Sequence, residues 1–176
     1  MKATRTKRSP DLSLLRELAT ARTYYEERFG WPVTIEVDPG RLLMAVGELA
    51  DAVVMPRPLG WRVLTDLRIA LLAGPVLADT TGQWWMFLTR PAAISVPKEH
   101  TDLRCLEVYL VPGGSRVVVP SEIDEKNGWP WLERPRALSQ LPPWPAVIAT
   151  ARRAGARDGS VTAIPAQRMG GLVPVR

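Results

Sequence analysis

Three carboxylates lie in segments with the apolar pattern of β-strands, where they could hold a divalent metal ion. Glu36 and Asp38 are two residues apart, and side chains at positions i and i+2 of a strand point to the same face. Glu107 stands between two apolar residues in a second predicted strand. Carboxylates bind Mg²⁺ or Mn²⁺ and support two-metal phosphoryl transfer without histidine or cysteine. The solvated face of a sheet is the simpler interpretation of Glu36 and Asp38, so the three acids are catalytic candidates only if they converge in space.

The chemistry of cysteine and histidine is restricted by their numbers. His100 and Cys105 are the only residues of their types. One cysteine forms no internal disulfide, and it excludes a cysteine-clustered zinc site. His100 lies in a predicted proline-flanked loop whereas Cys105 enters a predicted strand, so they do not form a nucleophile and its base. We expect Cys105 to be a small buried hydrophobe.

Several tryptophans lie where they could bind a partner or fill the core. Trp84 and Trp85 are adjacent in a predicted strand, so their side chains point to opposite faces. At most one of them can lie in the core of a two-layer fold, and the other is exposed, covered by a loop or part of an interface. An exposed tryptophan on a sheet can stack nucleic-acid bases. Trp129, Trp131 and Trp144 alternate with prolines and are expected to hold that irregular segment to the core.

The net charge of +5 is carried by the two ends of the chain. Residues 1–8 sum to +4 and residues 150–176 also sum to +4, whereas residues 9–149 sum to −3. Basic ends can contact a polyanion such as nucleic acid without a shaped site, and improved solubility is the alternative explanation. The candidate binding residues in these ends are Arg5, Lys7, Arg8, Arg152, Arg153 and Arg157.

The sequence lacks the patterns of membrane insertion and secretion. No run approaches the ~18–20 apolar residues that span a bilayer. The basic N-terminus leads into Ser9-Pro10-Asp11 rather than into a hydrophobic signal core. We therefore predict a cytoplasmic protein with no membrane partner.

Apolar spacing and turn residues predict a mixed α+β fold, with a mostly antiparallel sheet and flanking helices. Helices are predicted from a Ser9 cap and Pro10 to Gly30, from Thr65 to Ala73, and from Ala146 to about Ala154. Predicted strands cover 33–37, 76–78, 83–88, 106–111 and 116–120. The pattern of residues 41–56 is ambiguous, and its two short apolar runs, 42–46 and 52–55, resemble buried strands. Turns at 79–82 and at Pro112-Gly113-Gly114 close two predicted hairpins. The predicted organisation is a basic tail at 1–8, one domain at 9–154 and a C-terminal tail at 155–176.

Four segments, in order along residues 12–152, are similar to one protein family. Gly30-Trp31-Pro32-Val33 resembles the opening of the bifunctional primase/polymerase (Prim-Pol) domain of the archaeo-eukaryotic primase superfamily. Residues 113–121 resemble that family's Gly-Gly-Tyr-Val-Val-Ala-Pro-Pro-Ser segment, and residues 128–132 and 141–144 resemble its closing Tyr-x-Trp and Leu-Pro-x-Trp features. The resemblance implies a primase-polymerase-like fold. The 19 arginines against 4 lysines also indicate a GC-rich, actinobacterial type of genome.

The catalytic motifs of the Prim-Pol family are only partly matched. Its metal-binding Asp-x-Asp has no equivalent between Gly74 and Thr89. Its nucleotide-contacting histidine corresponds to a tryptophan within residues 81–87, and its third acid corresponds to Glu107. One acid of three, with no histidine, does not assemble a two-metal site. The resemblance therefore implies a scaffold without polymerase chemistry, for which we predict no catalytic residue, metal or cofactor.

The predicted function is that of a non-catalytic, Prim-Pol-like binding or regulatory protein, which contacts nucleic acid or a protein partner. Two alternatives stay open. In the first, the chain is a residual nucleotidyltransferase or nucleotide-binding enzyme that uses Glu107 with Glu36 or Asp38 and requires Mg²⁺ or Mn²⁺. In the second, it is purely a protein–protein interaction module, such as a homodimer, with Trp84 or Trp85 in the interface.

Overall fold

The computed structural model describes residues 11–92, 101–121, 125, 128–136 and 141–157. These residues form helices and antiparallel sheets, which confirms the predicted α+β class. The helices are α1 (Leu12–Phe29), α2 (Arg57–Ile69), α3 (Thr101–Cys105) and α4 (Trp144–Ala156). The strands are β1 (Val33–Glu36), β2 (Arg41–Ala45), β3 (Asp51–Pro56), β4 (Val76–Ala78), β5 (Trp84–Thr89), β6 (Tyr109–Leu110), β7 (Arg116–Val119) and β8 (Trp131–Glu133).

The strands belong to two sheets, in which every paired neighbour is antiparallel. The small sheet has the order β1-β2-β7, and Leu43 of its central strand lies opposite Thr34 and Val118. The large sheet has the order β6-β3-β5-β4-β8. Its strand β5 lies between β3 and β4, with Trp85 opposite both Met55 and Ala78. The predicted strands from β1 to β5 are confirmed to within about two residues.

The large sheet is buried on both faces. Val54 and Met86 point toward an apolar cluster shared with the small sheet and α1. Met55 and Phe87, the next residue on each strand, point toward a second cluster shared with α2, α3 and α4. Successive strand residues are therefore all apolar instead of alternating with polar ones. We call α2, α3 and α4, together with Arg157 at the end of α4, the helical layer.

Helix α1 begins and ends on short-range signals. The carboxylate of Asp11 accepts a hydrogen bond from the backbone N–H of Ser13 at 2.9 Å, so Asp11 is the N-cap in place of the predicted Ser9. Ser9 and Pro10 lie outside the described residues. Gly30 ends the helix in the left-handed conformation, with a φ of 62°. Among the helices that the structure describes, none combines the length and the apolar character required to cross a membrane.

Helix α2 differs most from the prediction. It begins at Arg57, directly after β3, and not at Thr65. Pro58 is compatible with this start because the first turn of a helix needs no backbone N–H there. Gly60 is required inside the helix because a Cβ at this position would lie 2.9 Å from Cε3 of Trp85. Sequence patterns treat proline and glycine as helix breakers, although here both serve the helix.

The predicted hairpin over residues 106–120 is wrong. Strand β6 pairs with β3 in the large sheet, whereas β7 pairs with β2 in the small sheet. The segment therefore crosses from one sheet to the other through Pro112-Gly113-Gly114. Residues 101–105 form α3, and the left-handed φ of 54° at Glu107 interrupts the extended backbone before β6. The last helix, α4, reaches Ala156, two residues beyond the predicted domain boundary.

Leu71 occupies a backbone position that favours glycine. The N–H of Leu72 donates to the carbonyl of Leu67 at 2.8 Å, and the N–H of Leu71 donates to that of Arg68 at 3.1 Å. This is the Schellman pattern, in which the residue after the C-cap is left-handed. Leu71 has a φ of 56° and is 92% exposed. The position is therefore strained, and the leucine side chain receives almost no packing in return.

We expect Leu71→Gly to raise the free energy of unfolding by about 0.5–1 kcal/mol. Relief of the left-handed conformation, roughly 1–2 kcal/mol, exceeds the extra backbone entropy of an unfolded glycine, roughly 0.5–1 kcal/mol. Urea denaturation followed by circular dichroism measures the change. The control is Ile69→Gly at the exposed last residue of α2, where glycine relieves no left-handed backbone and is expected to lower stability by up to roughly 1 kcal/mol. A loss of stability in Leu71→Gly would contradict the assignment of strain.

Candidate functional site

The three candidate acids do not gather into a metal-binding cluster of the usual kind. Glu36 is the last residue of β1 and lies opposite Arg41 in the register of the small sheet. Asp38 is exposed in the turn that follows β1. Glu107 is predicted to lie on a strand, but it lies in the segment between α3 and β6. Within the described ranges, no group of three or more His, Cys, Asp and Glu side chains could hold a metal ion.

Cys105 is exposed, which corrects the prediction of a buried residue. The sequence pattern placed it at the start of a strand, but it is the last residue of the short helix α3. Leu103 is the residue of that helix that packs into the core. Side chains repeat every 3.6 residues on a helix and every two residues on a strand, so predicting a strand instead of a helix also gives the wrong burial for Cys105. His100 lies outside the described residues.

Trp84 and Trp85 point to opposite faces of the large sheet, as predicted. Trp85 is 5% exposed in the cluster of the helical layer and is therefore not available for stacking with a base. Trp84 is half-buried against Tyr109, with 5.8 Å between ring centroids, on the side of the small sheet. The prediction assumes a fold of two layers, in which one face of the sheet is uncovered. In the structure both faces of the large sheet are covered, so both tryptophans are packed.

The tryptophans of the irregular segment pack as predicted. Trp129 and Trp131 are buried in the cluster between the sheets, and Trp144 packs against the cluster of the helical layer. The indole Nε1 of Trp131 donates a hydrogen bond to the hydroxyl of Tyr25 at 3.1 Å. The Tyr25 hydroxyl donates to the carbonyl of Pro120 at 2.7 Å. This chain of bonds ties the segment around β8 to α1.

Trp61, to which the sequence assigned no role, is the most exposed aromatic side chain of the helical layer. It is 60% exposed and meets the buried Trp85 at a ring-centroid distance of 6.2 Å and an interplanar angle of 66°. Arg57, Thr65 and Arg68 lie on the same face of α2, respectively four residues before, four residues after and seven residues after Trp61, and all are exposed. Recognising that α2 starts at Arg57 would have placed Trp61 on the outer face.

The three candidate arginines of the C-terminal end all interact with neighbouring helical residues. Nε of Arg152 lies 2.5 Å from Oδ2 of Asp102, and this hydrogen bond holds the pKa of the exposed Asp102 carboxyl below its usual value. Nη1 of Arg157 lies 3.2 Å from Oδ2 of Asp66. Arg153 donates to the hydroxyl of Thr150 at 2.9 Å. All three are thus part of the folded surface, and this corrects the prediction for Arg157, which places it in the C-terminal tail. The other candidates, Arg5, Lys7 and Arg8, lie outside the described residues.

The helical layer is strongly basic. It contains seven arginines and two aspartates, a net charge of +5, or +4 when Glu133 of β8, which pairs with Arg68, is included, whereas α1 contains three arginines and three glutamates. The arginines are Arg57, Arg62, Arg68, Arg104, Arg152, Arg153 and Arg157, and the aspartates are Asp66 and Asp102. The charge sums along the chain, which gave an acidic body between basic ends, do not reveal the basic helical layer, because its arginines come from three separated segments. The layer combines positive charge with an exposed indole, a combination typical of single-strand binding surfaces.

Comparisons of the chain with protein-family models, with curated proteins and with solved structures found no match. The relationship to the Prim-Pol family therefore stays a prediction that rests on the four similar segments of the sequence.

Proposed function

We propose that this chain is a non-catalytic, Prim-Pol-like binding protein that contacts single-stranded nucleic acid through its helical layer. The observation that carries the proposal is the exposed Trp61 within a layer of net charge +5. Arginines attract the phosphate backbone, and an aromatic ring stacks on any base because every base has a π-face. The two together bind a strand with little sequence preference.

The setting of Trp61 suits base stacking. Its ring rests with an edge contact on Trp85, which is held in the core, so the indole has a fixed support beneath it. Arg57 lies one turn before Trp61 on the same face of α2, and Arg68 lies two turns after it. A strand that runs along α2 would place a base on the indole and its neighbouring phosphates beside the arginines.

We expect Trp61→Ala to weaken binding of a single-stranded oligonucleotide by about 5–150-fold, because the stacking of one base contributes ~1–3 kcal/mol. Binding of wild type should fall steeply with salt because arginines release counterions from phosphates. The slope of log K against log salt should be the same in Trp61→Ala, since an indole releases no counterion. Fluorescence anisotropy of a labelled oligonucleotide over a salt series measures both quantities.

The matched control is Tyr24→Ala, which removes an aromatic ring of α1 that is 54% exposed and lies away from the helical layer. It should leave affinity unchanged, and thermal melting checks that both variants are folded. If wild type shows no salt-dependent binding, the nucleic-acid function is wrong. If Tyr24→Ala weakens binding as much as Trp61→Ala, the helical layer is not the binding surface.

A protein partner is the second candidate, and one specific observation favours it. Ile69 is 78% exposed and Leu71 is 92% exposed, so two large aliphatic side chains face solvent at the end of α2. Aliphatic side chains do not stack with bases, but they are common at the centre of protein interfaces. A chain that binds no nucleic acid but self-associates in sedimentation experiments would support this candidate.

A further inference from the structure

A cavity of about 380 Å³ opens at the C-terminal end of α2, beside the start of β4 and the segment that follows β8. Small-molecule sites have volumes of roughly 300–1,000 Å³, so the cavity can hold a small ligand. Three arginines line it, namely Arg68, Arg134 and Arg136, together with the carboxylate of Glu133. No acid proposed for catalysis contributes to this lining.

Glu133 orients two of the arginines. Its side chain is 10% exposed, and its Oε2 accepts hydrogen bonds from Nε and Nη2 of Arg68 at 3.0 and 2.8 Å. Its Oε1 accepts a hydrogen bond from Nη2 of Arg136 at 2.7 Å. A guanidinium carries five N–H donors, and these bonds involve the Nη1 group of neither arginine. One buried carboxylate therefore fixes two guanidinium groups, and among the described residues the Nη1 donors of both arginines have no partner.

The charge balance of the cavity favours an anion. The three arginines and Glu133 sum to +2, and Arg134 is itself paired with Glu125. The C-terminal end of α2 opposes an anion with a partial charge of about −0.5. When Glu125 is counted as well as Glu133, the three arginines still leave a net charge of +1, which is larger than the partial charge of the helix end.

We propose that this cavity binds a phosphate group, carried on a small organic ester such as a nucleoside monophosphate. Planar guanidinium forks match the oxygens of phosphate, and a phosphate monoester carries a charge of about −1.5 to −2 at neutral pH. Leu71 and Pro75 add an apolar wall for the organic part of the ligand. The site does not depend on the proposed function, although Arg68 lies roughly 10 Å along α2 from Trp61, within reach of the same strand.

Isothermal titration calorimetry of the full chain at low salt tests the site, with inorganic phosphate, AMP and a 5′-phosphorylated oligonucleotide as separate probes. We expect saturable binding of AMP that weakens by about tenfold to a hundredfold in Arg136→Gln, because a hydrogen bond between charged groups is lost. Arg136 is suitable for substitution because its side chain is 73% exposed. Arg16→Gln, on the exposed side of α1, is the control and should bind AMP as wild type does.

The outcomes separate this site from the helical layer. Binding of AMP that persists in Trp61→Ala and is lost in Arg136→Gln supports a phosphate site independent of base stacking. Binding of the 5′-phosphorylated oligonucleotide without AMP, lost in Arg136→Gln, supports the site and identifies a strand as the source of the phosphate. The proposal is overturned if no probe binds wild type at millimolar concentration, or if Arg16→Gln weakens binding as much as Arg136→Gln does.

Discussion

Trp85→Ala is expected to lower the free energy of unfolding by about 3–5 kcal/mol, the range found when a large aromatic side chain is removed from a core. Trp85 is 5% exposed on β5, the middle strand of the large sheet. It packs against Gly60 of α2, whose missing side chain allows the helix to approach the indole. Alanine would therefore leave a cavity between the sheet and α2, because the packed helix and sheet can move only slightly to fill the space of the indole. Urea denaturation followed by far-ultraviolet circular dichroism measures the loss.

Trp84→Ala is the matched control, since it removes the same side chain from the adjacent residue. Trp84 is half-buried and retains contact with solvent, so its removal forfeits less buried apolar area. We expect a clearly smaller loss of stability than for Trp85→Ala. Equal losses, or a larger loss at Trp84, would contradict the assignment of Trp85 to the inner position beneath α2.

The parts of the fold that the sequence predicts are those whose signals are local. Helix α1 is bounded by Asp11 and Gly30, each of which acts within a few residues of the helix end. The hairpin of β4 and β5 is closed by a turn in which Asp79 accepts hydrogen bonds from Thr81 and from the backbone of Trp84. Short-range chemistry of this kind is present in any window of the sequence that contains it.

The parts that the sequence does not predict depend on distant partners. Nothing near residues 106–120 indicates that β6 joins β3 and that β7 joins β2, because strand pairing is decided by which apolar faces the whole chain can cover. The burial of Trp85 likewise requires α2 and α4 to cover a sheet that the small sheet already covers from the other side. Alternation along a strand predicts opposite faces for Trp84 and Trp85, but not which face lies deeper.

The candidate site was missed for the same reason. Trp61 follows Pro58 and Gly60, so local propensity argues against a helix where the structure has one. The basic surface combines arginines from 57–69, 101–105 and 144–157, which are brought together only by folding. A charge count along the chain cannot detect a face that is assembled from separate segments. Conversely, the arginines near the C-terminal end were identified from sequence, because they are clustered there in the chain as well as in space.

The hydroxyl of Tyr25 connects three elements that are far apart in the sequence. Tyr25 lies on α1, its acceptor Pro120 follows β7, and its donor Trp131 begins β8. Tyr25 is 5% exposed, and its ring stacks on Trp31 with an interplanar angle of 4°. In Tyr25→Phe the ring remains, but the carbonyl of Pro120 and the indole N–H of Trp131 both lose their partner.

We expect Tyr25→Phe to lower the free energy of unfolding by about 2–4 kcal/mol, since each buried polar group left without a partner costs ~1–3 kcal/mol. Urea denaturation near neutral pH measures this loss. The control is Tyr24→Phe, which removes the hydroxyl of an exposed neighbour on α1 and should cost little. Equal effects of the two substitutions would contradict the role assigned to the buried hydroxyl.

The same hydroxyl makes stability depend on alkaline pH. Burial raises the pKa of Tyr25 far above its ordinary value of 10.0, and the hydrogen bond from Trp131 offsets only part of that rise. In the unfolded chain the phenol loses its proton near its ordinary pKa, while the native state keeps it, so the unfolded state binds fewer protons above that pH. The stabilisation is therefore complete below about pH 10 and falls above it by as much as ~1.4 kcal/mol per pH unit.

The advantage of wild type over Tyr25→Phe should accordingly shrink as the pH rises beyond the ordinary tyrosine pKa. Urea midpoints measured in steps of pH for both proteins give this difference directly, and titrations common to both proteins cancel in the comparison. Tyr24→Phe should follow wild type across the series, because it leaves the buried phenol in place. Parallel curves for wild type and Tyr25→Phe would mean that the buried phenol does not govern alkaline stability. If the native state keeps the phenol protonated while the unfolded state ionises it, the free energy of unfolding of wild type must fall with pH relative to that of Tyr25→Phe.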